Sequence, residues 1–111
     1  MAAEKENHVE EMQILEQRLN NILLQKHSFQ MEFSETQSAL REIENSGDDV
    51  FKIVGQLMIK SDKTRIKEEL SNKEKITDMR IKSLERQEES MMKELEGLRE
   101  KVLKSMKNNK K

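Results

Sequence analysis

Few side chains in this sequence have the types and spacing that catalysis or metal binding requires. The two histidines, His8 and His27, stand far apart along the chain, and there is no cysteine to act as nucleophile or thiolate ligand. Acidic pairs at 10–11, 48–49, 68–69 and 88–89 are expected to be solvated faces and helix caps. The three glycines are isolated, so no phosphate-binding loop can form. We therefore expect no catalytic, cofactor or metal site, and no enzyme.

A basic segment near the C-terminus could attract nucleic acid; it comprises Lys104, Lys107, Lys110 and Lys111. Acidic residues precede it, and the chain has no Tyr or Trp to stack on bases, so we expect a solvated, flexible tail over 108–111 without nucleic-acid binding. No apolar run approaches the roughly 20 residues that a membrane span needs. The sequence thus predicts no membrane contact and a cytoplasmic location.

The composition restricts which elements can position any functional residue. Charged residues make up 39% of the 111 residues and apolar residues 33%, with three phenylalanines and no proline. Too little apolar mass is present to close a globular domain, while abundant Glu, Lys, Leu and Met are typical of long helices. The net charge of −1 and the regular apolar spacing argue against disorder. We expect a single, mainly α unit over 1–111.

The first predicted helix covers 4–46 and carries a coiled-coil seam, meaning residues at alternating spacings of four and three. The seam comprises His8, Met12, Leu15, Leu19, Ile22, Lys26, Phe29, Phe33, Thr36, Leu40 and Ile43. Most of these residues are apolar, a pattern typical of helices that pair. Gly47 is expected to end the helix in a left-handed conformation.

The second predicted helix covers 63–107 and carries a seam of its own. It comprises Leu70, Glu74, Thr77, Ile81, Leu84, Glu88, Met91, Leu95, Leu98 and Val102. Residues 1–47 hold four basic and nine acidic residues, and 63–111 hold fifteen basic and ten acidic, so these two segments have net charges of −5 and +5. These features predict a long antiparallel two-helix coiled coil. Lys26 and Glu88 face each other in this pairing, either as a partly buried pair that fixes the register or with both side chains extended to solvent.

Between the helices, residues 49–61 predict a β-hairpin. Two short apolar runs flank Gly55-Gln56, which fits a two-residue type II′ turn with Gly first. Apolar side chains alternate onto both faces, and an isolated hairpin is marginally stable. We expect the hairpin to join hairpins of other chains in a sheet or barrel; the alternative is that it packs back on its own helix ends.

The free helix ends carry a second apolar set. It comprises Met12, Ile14, Leu15, Leu98, Val102, Leu103 and Met106. Flexible Met and Leu side chains form adaptable surfaces for unlike apolar partners. The alternative, that they only complete the coiled coil, applies most to the seam members Met12, Leu15, Leu98 and Val102.

The whole layout resembles the β-type subunit of prefoldin. The similarity rests on Val50-Phe51-Lys52-Ile53-Val54-Gly55 with Leu57-Met58-Ile59-Lys60, on 35–43, and on 84–89. Because one hairpin lies between the helices, where the α type has two, the β type is implied, of a kind nearer to the archaeal members.

This resemblance implies an ATP-independent chaperone, a hexamer of two α-type and four β-type subunits whose hairpins form an intersubunit β-barrel. Its coiled-coil tips would capture non-native polypeptides and deliver them to a group II chaperonin. Assembly would then rest on Val50, Phe51, Ile53, Val54, Leu57, Met58 and Ile59, and client contact on the apolar set at the helix ends. The other hypothesis is a structural or adaptor coiled coil that binds one dedicated partner helix.

Overall fold

A computed structural model describes residues 2–108, with side chains over 3–107. Helix α1 spans Ala2–Asn45, strand β1 Val50–Val54, strand β2 Leu57–Ser61 and helix α2 Lys63–Asn108. The predicted fold class, two long helices joined by a β-hairpin, is confirmed. The predicted tail over 108–111 lies outside the described residues except for Asn108, which ends α2. Over residues 2–108 neither helix contains a stretch long and apolar enough to cross a membrane.

Contacts divide the chain into two compact units, one formed by the described residues of 1–26 and 82–111, the other by 27–81. In the first unit, Lys26 pairs with Glu88. In the second, Glu32 of α1 pairs with Lys73 of α2, and Arg80 lies over the ring of Phe29. Phe29 comes before Glu32 in α1, whereas its partner Arg80 comes after Lys73 in α2. The helices are therefore antiparallel within the second unit.

The first unit has the same arrangement. A groove there is lined by Ile14 and Leu15 of α1 together with Leu98 of α2. These residues precede Lys26 in α1 and follow Glu88 in α2. The helices of this unit are therefore antiparallel as well.

The seam residues predicted in both helices are all buried or half-buried. The least exposed are Thr36 and Thr77, each 3% exposed, and Ile22, at 6%. The hydroxyl of Thr36 donates to the carbonyl of Glu32 at 2.8 Å, so its burial leaves no unsatisfied donor. Off-seam apolar residues behave differently, since Leu24 is 68% exposed. Burial thus follows the alternating spacing of the sequence.

Helix α1 ends through a serine and not through a left-handed glycine, so the prediction for Gly47 was wrong. Gly55 is the one residue with a positive φ among those described. The Ser46 hydroxyl donates to the carbonyl of Ile43 at 2.8 Å, and the Lys63 ammonium donates to the carbonyl of Ser46 at 2.9 Å. Side chains satisfy these carbonyls, so the chain needs no left-handed residue.

The backbone conformation of Gly55 sets the hairpin turn, and a polar contact of Asp62 sets the start of α2. Gly55 has φ +61°, whereas no other residue of the described chain has a positive φ, which is the combination that a type II′ turn requires. The strands are antiparallel, with Val50 opposite Ser61 and Ile53 opposite Met58. Directly after β2, the carboxylate of Asp62 accepts a hydrogen bond from the backbone N–H of Thr64 at 3.2 Å and caps α2.

Candidate assembly and binding surfaces

The two faces of the hairpin differ in what covers them. Because opposite residues share a face, Val50, Val54, Leu57 and Ile59 lie on one face, and Phe51, Ile53 and Met58 on the other. Val50 is 8% exposed, whereas the remaining six range from 49% for Ile59 to 70% for Ile53. Six of the seven residues predicted to mediate assembly are therefore exposed on this chain. The seventh, Val50, is buried within the chain itself.

Besides the burial of Val50, two ion pairs connect the hairpin and its base to the rest of the chain. Lys52 Nζ lies 3.0 Å from Oε2 of Glu69 in α2, and Lys60 Nζ lies 3.5 Å from Oδ1 of Asp49. Lys52 lies on the same hairpin face as Val50. Because Lys52 pairs with Glu69 of α2, this face is directed towards α2. Exposed pairs of this kind contribute little stability. Apart from Val50, the apolar residues of the hairpin are therefore exposed on this chain.

The predicted binding residues at the helix ends fall into two groups. Ile14, Leu103 and Met106 are 51%, 52% and 45% exposed. The four seam members, Met12, Leu15, Leu98 and Val102, are half-buried or buried. Since the seam members pack between the helices, a partner can reach the first group without separating them.

A shallow groove of about 220 Å³ joins members of both groups. Ile14, Leu15 and Leu98 line it, with Glu11, Arg18 and Glu94 at its rim. Val9, which is 37% exposed, is a further apolar residue of this unit that the sequence reasoning missed. Val9 directly follows the seam residue His8, which places it off the seam, and that position could have identified it. The helix ends therefore offer an open apolar surface on α1 as well as on α2.

Lys26 and Glu88 meet at the seam. Lys26 Nζ lies 3.0 Å from Glu88 Oε2, and each side chain is 21% exposed. The two side chains face each other and do not extend separately to solvent. That they fix the register of the helices stays a prediction.

Two contacts of the second unit were not foreseen. Cζ of Arg80 lies 5.4 Å from the centroid of the Phe29 ring, a cation–π distance. Lys73 Nζ lies 3.5 Å from Glu32 Oε1 beside it. Phe29, whose role the sequence left open, is thus covered by a cation from α2 as well as packed at the seam.

The histidines take separate environments. His8 is half-buried at the seam, and its Nδ1 has no hydrogen-bond partner, whereas His27 is exposed. Within the described part of the chain no three His, Cys, Asp or Glu side chains converge as metal ligands. His8 is thus a seam residue of α1.

Comparison with known proteins agrees with this geometry. The model of the family described as "Prefoldin subunit" matches residues 6–109. The prefoldin subunit beta of Saccharolobus islandicus (strain L.S.2.15) is 34% identical over 92 residues, which cover 81% of this chain and 73% of the relative. That of Thermococcus onnurineus is 37% identical over 89 residues, covering 78% and 77%.

A solved structure extends the similarity to the fold. The crystal structure of the prefoldin beta subunit from Thermococcus strain KS-1 is 31% identical and superposes with a TM-score of 0.84. The match covers 92% of this chain and 91% of that one. The family model and these relatives together decide the identity: the chain belongs to the prefoldin family of chaperone subunits, with the β-type layout of one hairpin between two helices in its described residues.

Proposed function

We propose that this subunit joins other prefoldin subunits through its hairpin and captures non-native polypeptides with the apolar ends of its helices, without ATP. The observation that carries the proposal is the exposure of Phe51, Ile53 and Met58 on one hairpin face, each above half of its area. Open strand edges beside exposed apolar side chains are ready sites for pairing with another chain. Family membership supports assembly with other prefoldin subunits, and the proposal takes these to be an α-type subunit and further β-type copies.

The proposed assembly is a hexamer of two α-type and four β-type subunits around an intersubunit β-barrel. In it the two hairpin faces and both edges are buried against other hairpins. Val50 would act by holding its strand against α2, and the six exposed residues would make the intersubunit contacts. The barrel satisfies the edge N–H and C=O groups that one hairpin leaves open.

Client capture is assigned to Ile14, Leu103 and Met106 together with the groove at Leu15 and Leu98. Each site offers little apolar area, so binding to one arm is weak. Several arms on one assembly raise the effective concentration of these weak sites and retain a client without a dedicated pocket. The captured chain is then delivered to a group II chaperonin, which supplies the ATP-driven step.

The test measures aggregation of a chemically unfolded protein diluted into the assembled complex without nucleotide. The variant Ile14→Ser/Leu103→Ser/Met106→Ser is expected to lose most of the suppression. The control Leu24→Ser/Ile76→Ser/Met79→Ser, at residues 68%, 52% and 68% exposed, is expected to retain it. Equal activity of the two variants would refute the assignment to the helix ends. Saturable binding of one helical partner without general suppression would favour the adaptor hypothesis.

Delivery has its own readout. The client bound to the complex is mixed with a group II chaperonin and ATP, and the yield of refolded client is measured with and without an inactive chaperonin that traps released chains. Direct transfer predicts refolding that the trap does not reduce. Refolding that the trap abolishes would show release into solution and would contradict the delivery step.

A further inference from the structure

A second groove of the first unit lies beside the ion pair at the seam, away from the residues assigned above to client capture. It has a volume of about 380 Å³ and surrounds Met92, which is 54% exposed. Four glutamates and two lysines line it, giving a net charge of −2. The glutamates are Glu85, Glu88, Glu89 and Glu96. The groove therefore combines an open apolar side chain with an acidic rim.

Leu23 extends the apolar surface on the other helix. It precedes Lys26 by three residues in α1, and Met92 follows Glu88 by four residues in α2. Because the helices are antiparallel here and Lys26 contacts Glu88, both residues lie about one turn beyond the ion pair, in the same direction. Leu23 is 41% exposed. Two exposed apolar side chains, one from each helix, therefore lie about one turn from the ion pair, with Met92 in the lining of the groove and Leu23 outside it.

The acidic rim has charges that the described residues do not pair. Lys26 neutralises Glu88, and Lys93 Nζ lies 3.5 Å from Glu89 Oε1. Among the described residues no ion-pair partner contacts Glu85 or Glu96. Two carboxylates are therefore available to a bound molecule, and they repel anionic surfaces such as nucleic acid or acidic membranes.

We propose that this groove selects client segments in which an apolar residue is flanked by lysine or arginine. The apolar residue contacts Met92 and Leu23, while the flanking cations pair with Glu85 and Glu96. The proposal rests on the client capture argued above and adds a preference to it. The acidic rim also attracts such basic segments from solution. Association of the complex with these segments is therefore expected to be faster at low salt.

Met79 offers a matched comparison on the same helix. It is 68% exposed, more than Met92, but its sequence neighbours include Lys75, Arg80 and Lys82. If exposed methionine alone attracted clients, Met79 would bind them at least as well. If the acidic rim matters, the Met92 site prefers basic segments and the Met79 site does not.

The experiment uses two fluorescent unfolded peptides with the same apolar residues, one with lysine flanks and one with glutamate flanks. Binding to the assembled complex is measured by anisotropy at low salt. The lysine peptide is expected to bind about three- to tenfold more tightly, as two exposed charge pairs allow. Glu85→Gln/Glu96→Gln should remove this preference, whereas the control Glu35→Gln/Glu42→Gln keeps it. Met92→Ser should weaken binding of the lysine peptide, and Met79→Ser should not.

The outcomes separate this preference from client capture in general. Equal binding of the two peptides, or a preference that survives Glu85→Gln/Glu96→Gln, overturns the groove proposal while aggregation suppression leaves client capture standing. Loss of suppression and of binding to both peptides overturns both proposals. A preference that tracks Met79 instead of Met92 also overturns the groove.

Discussion

The ammonium of Lys26 lies 3.0 Å from a carboxylate oxygen of Glu88, with each side chain 21% exposed. Both residues stand at seam positions that otherwise hold mostly apolar side chains. Two charged side chains with this little solvent exposure can occupy seam positions because each neutralises the other. Removing one partner leaves the other unpaired among apolar neighbours.

We therefore expect Lys26→Leu and Glu88→Leu each to destabilise the complex by about 1–3 kcal/mol, less than a fully buried pair would lose. The double variant should be at least as stable as the natural chain, since two leucines fill the seam. Urea unfolding at fixed protein concentration measures these differences. If the pair fixes the register, the double variant will unfold less cooperatively or form more than one species. A single sharp transition in the double variant would assign the pair no role in register.

The contact between Arg80 and Phe29 predicts a smaller, specific effect. With Cζ 5.4 Å from the ring centroid, a cation–π interaction of about 0.5–1 kcal/mol is expected at this partly exposed site. Arg80→Gln should lose about that amount, and the loss should vanish in a Phe29→Leu background. Phe33→Leu is the control background, in which Arg80→Gln keeps its full cost. An equal cost in both backgrounds would show that Arg80 acts through something other than the ring.

Two glycines predict opposite effects of the same substitution. A Cβ at Gly55 or Gly97 meets nothing within 4 Å, so only the backbone distinguishes them. Gly55 has φ +61°, and Gly55→Ala is expected to cost about 1–2 kcal/mol because a left-handed conformation strains alanine. Gly97 lies inside α2, where Gly97→Ala should stabilise by about 0.5–1 kcal/mol. Thermal unfolding of both variants measures the two changes in stability. Two changes of the same sign would contradict the turn assignment.

Much of this architecture could be predicted from the sequence because it depends on spacing. The alternating pattern through Leu15, Ile22 and Ile81 identifies the buried side of each helix, and Gly55 identifies the turn. The contacts that the sequence did not predict depend on which side chains come close to each other in the folded chain. Arg80 covers Phe29 only because antiparallel helices bring them together at one level. Ser46 replaces Gly47 at the end of α1 because its own hydroxyl can satisfy the carbonyl of Ile43.

The surfaces differ from the fold in this respect. Sequence alternation shows that both hairpin faces carry apolar residues, but it does not show that Val50 alone would be buried. Nor does it show that Glu85 and Glu96, beside Met92, would have no ion-pair partner among the described residues, since ion pairing depends on which side chain each lysine reaches. Exposure on the folded chain is what turns an apolar pattern into a candidate binding surface.

The hairpin gives the sharpest prediction for assembly. Ile53 is 70% exposed and pairs across the strands with Met58, which is 68% exposed, on the face without Lys52. A carboxylate there costs the folded chain little, since the site is open to water, but it must be desolvated when another hairpin covers the face. Ile53→Asp is therefore expected to prevent assembly while leaving the helix content unchanged.

Leu24→Asp, at a residue 68% exposed on α1, is the control and should assemble normally. Light scattering after size-exclusion chromatography measures the assembly, and circular dichroism the helix content. Normal assembly of Ile53→Asp would remove this face from the intersubunit contact, and a failure shared with Leu24→Asp would show that added charge alone disrupts the complex.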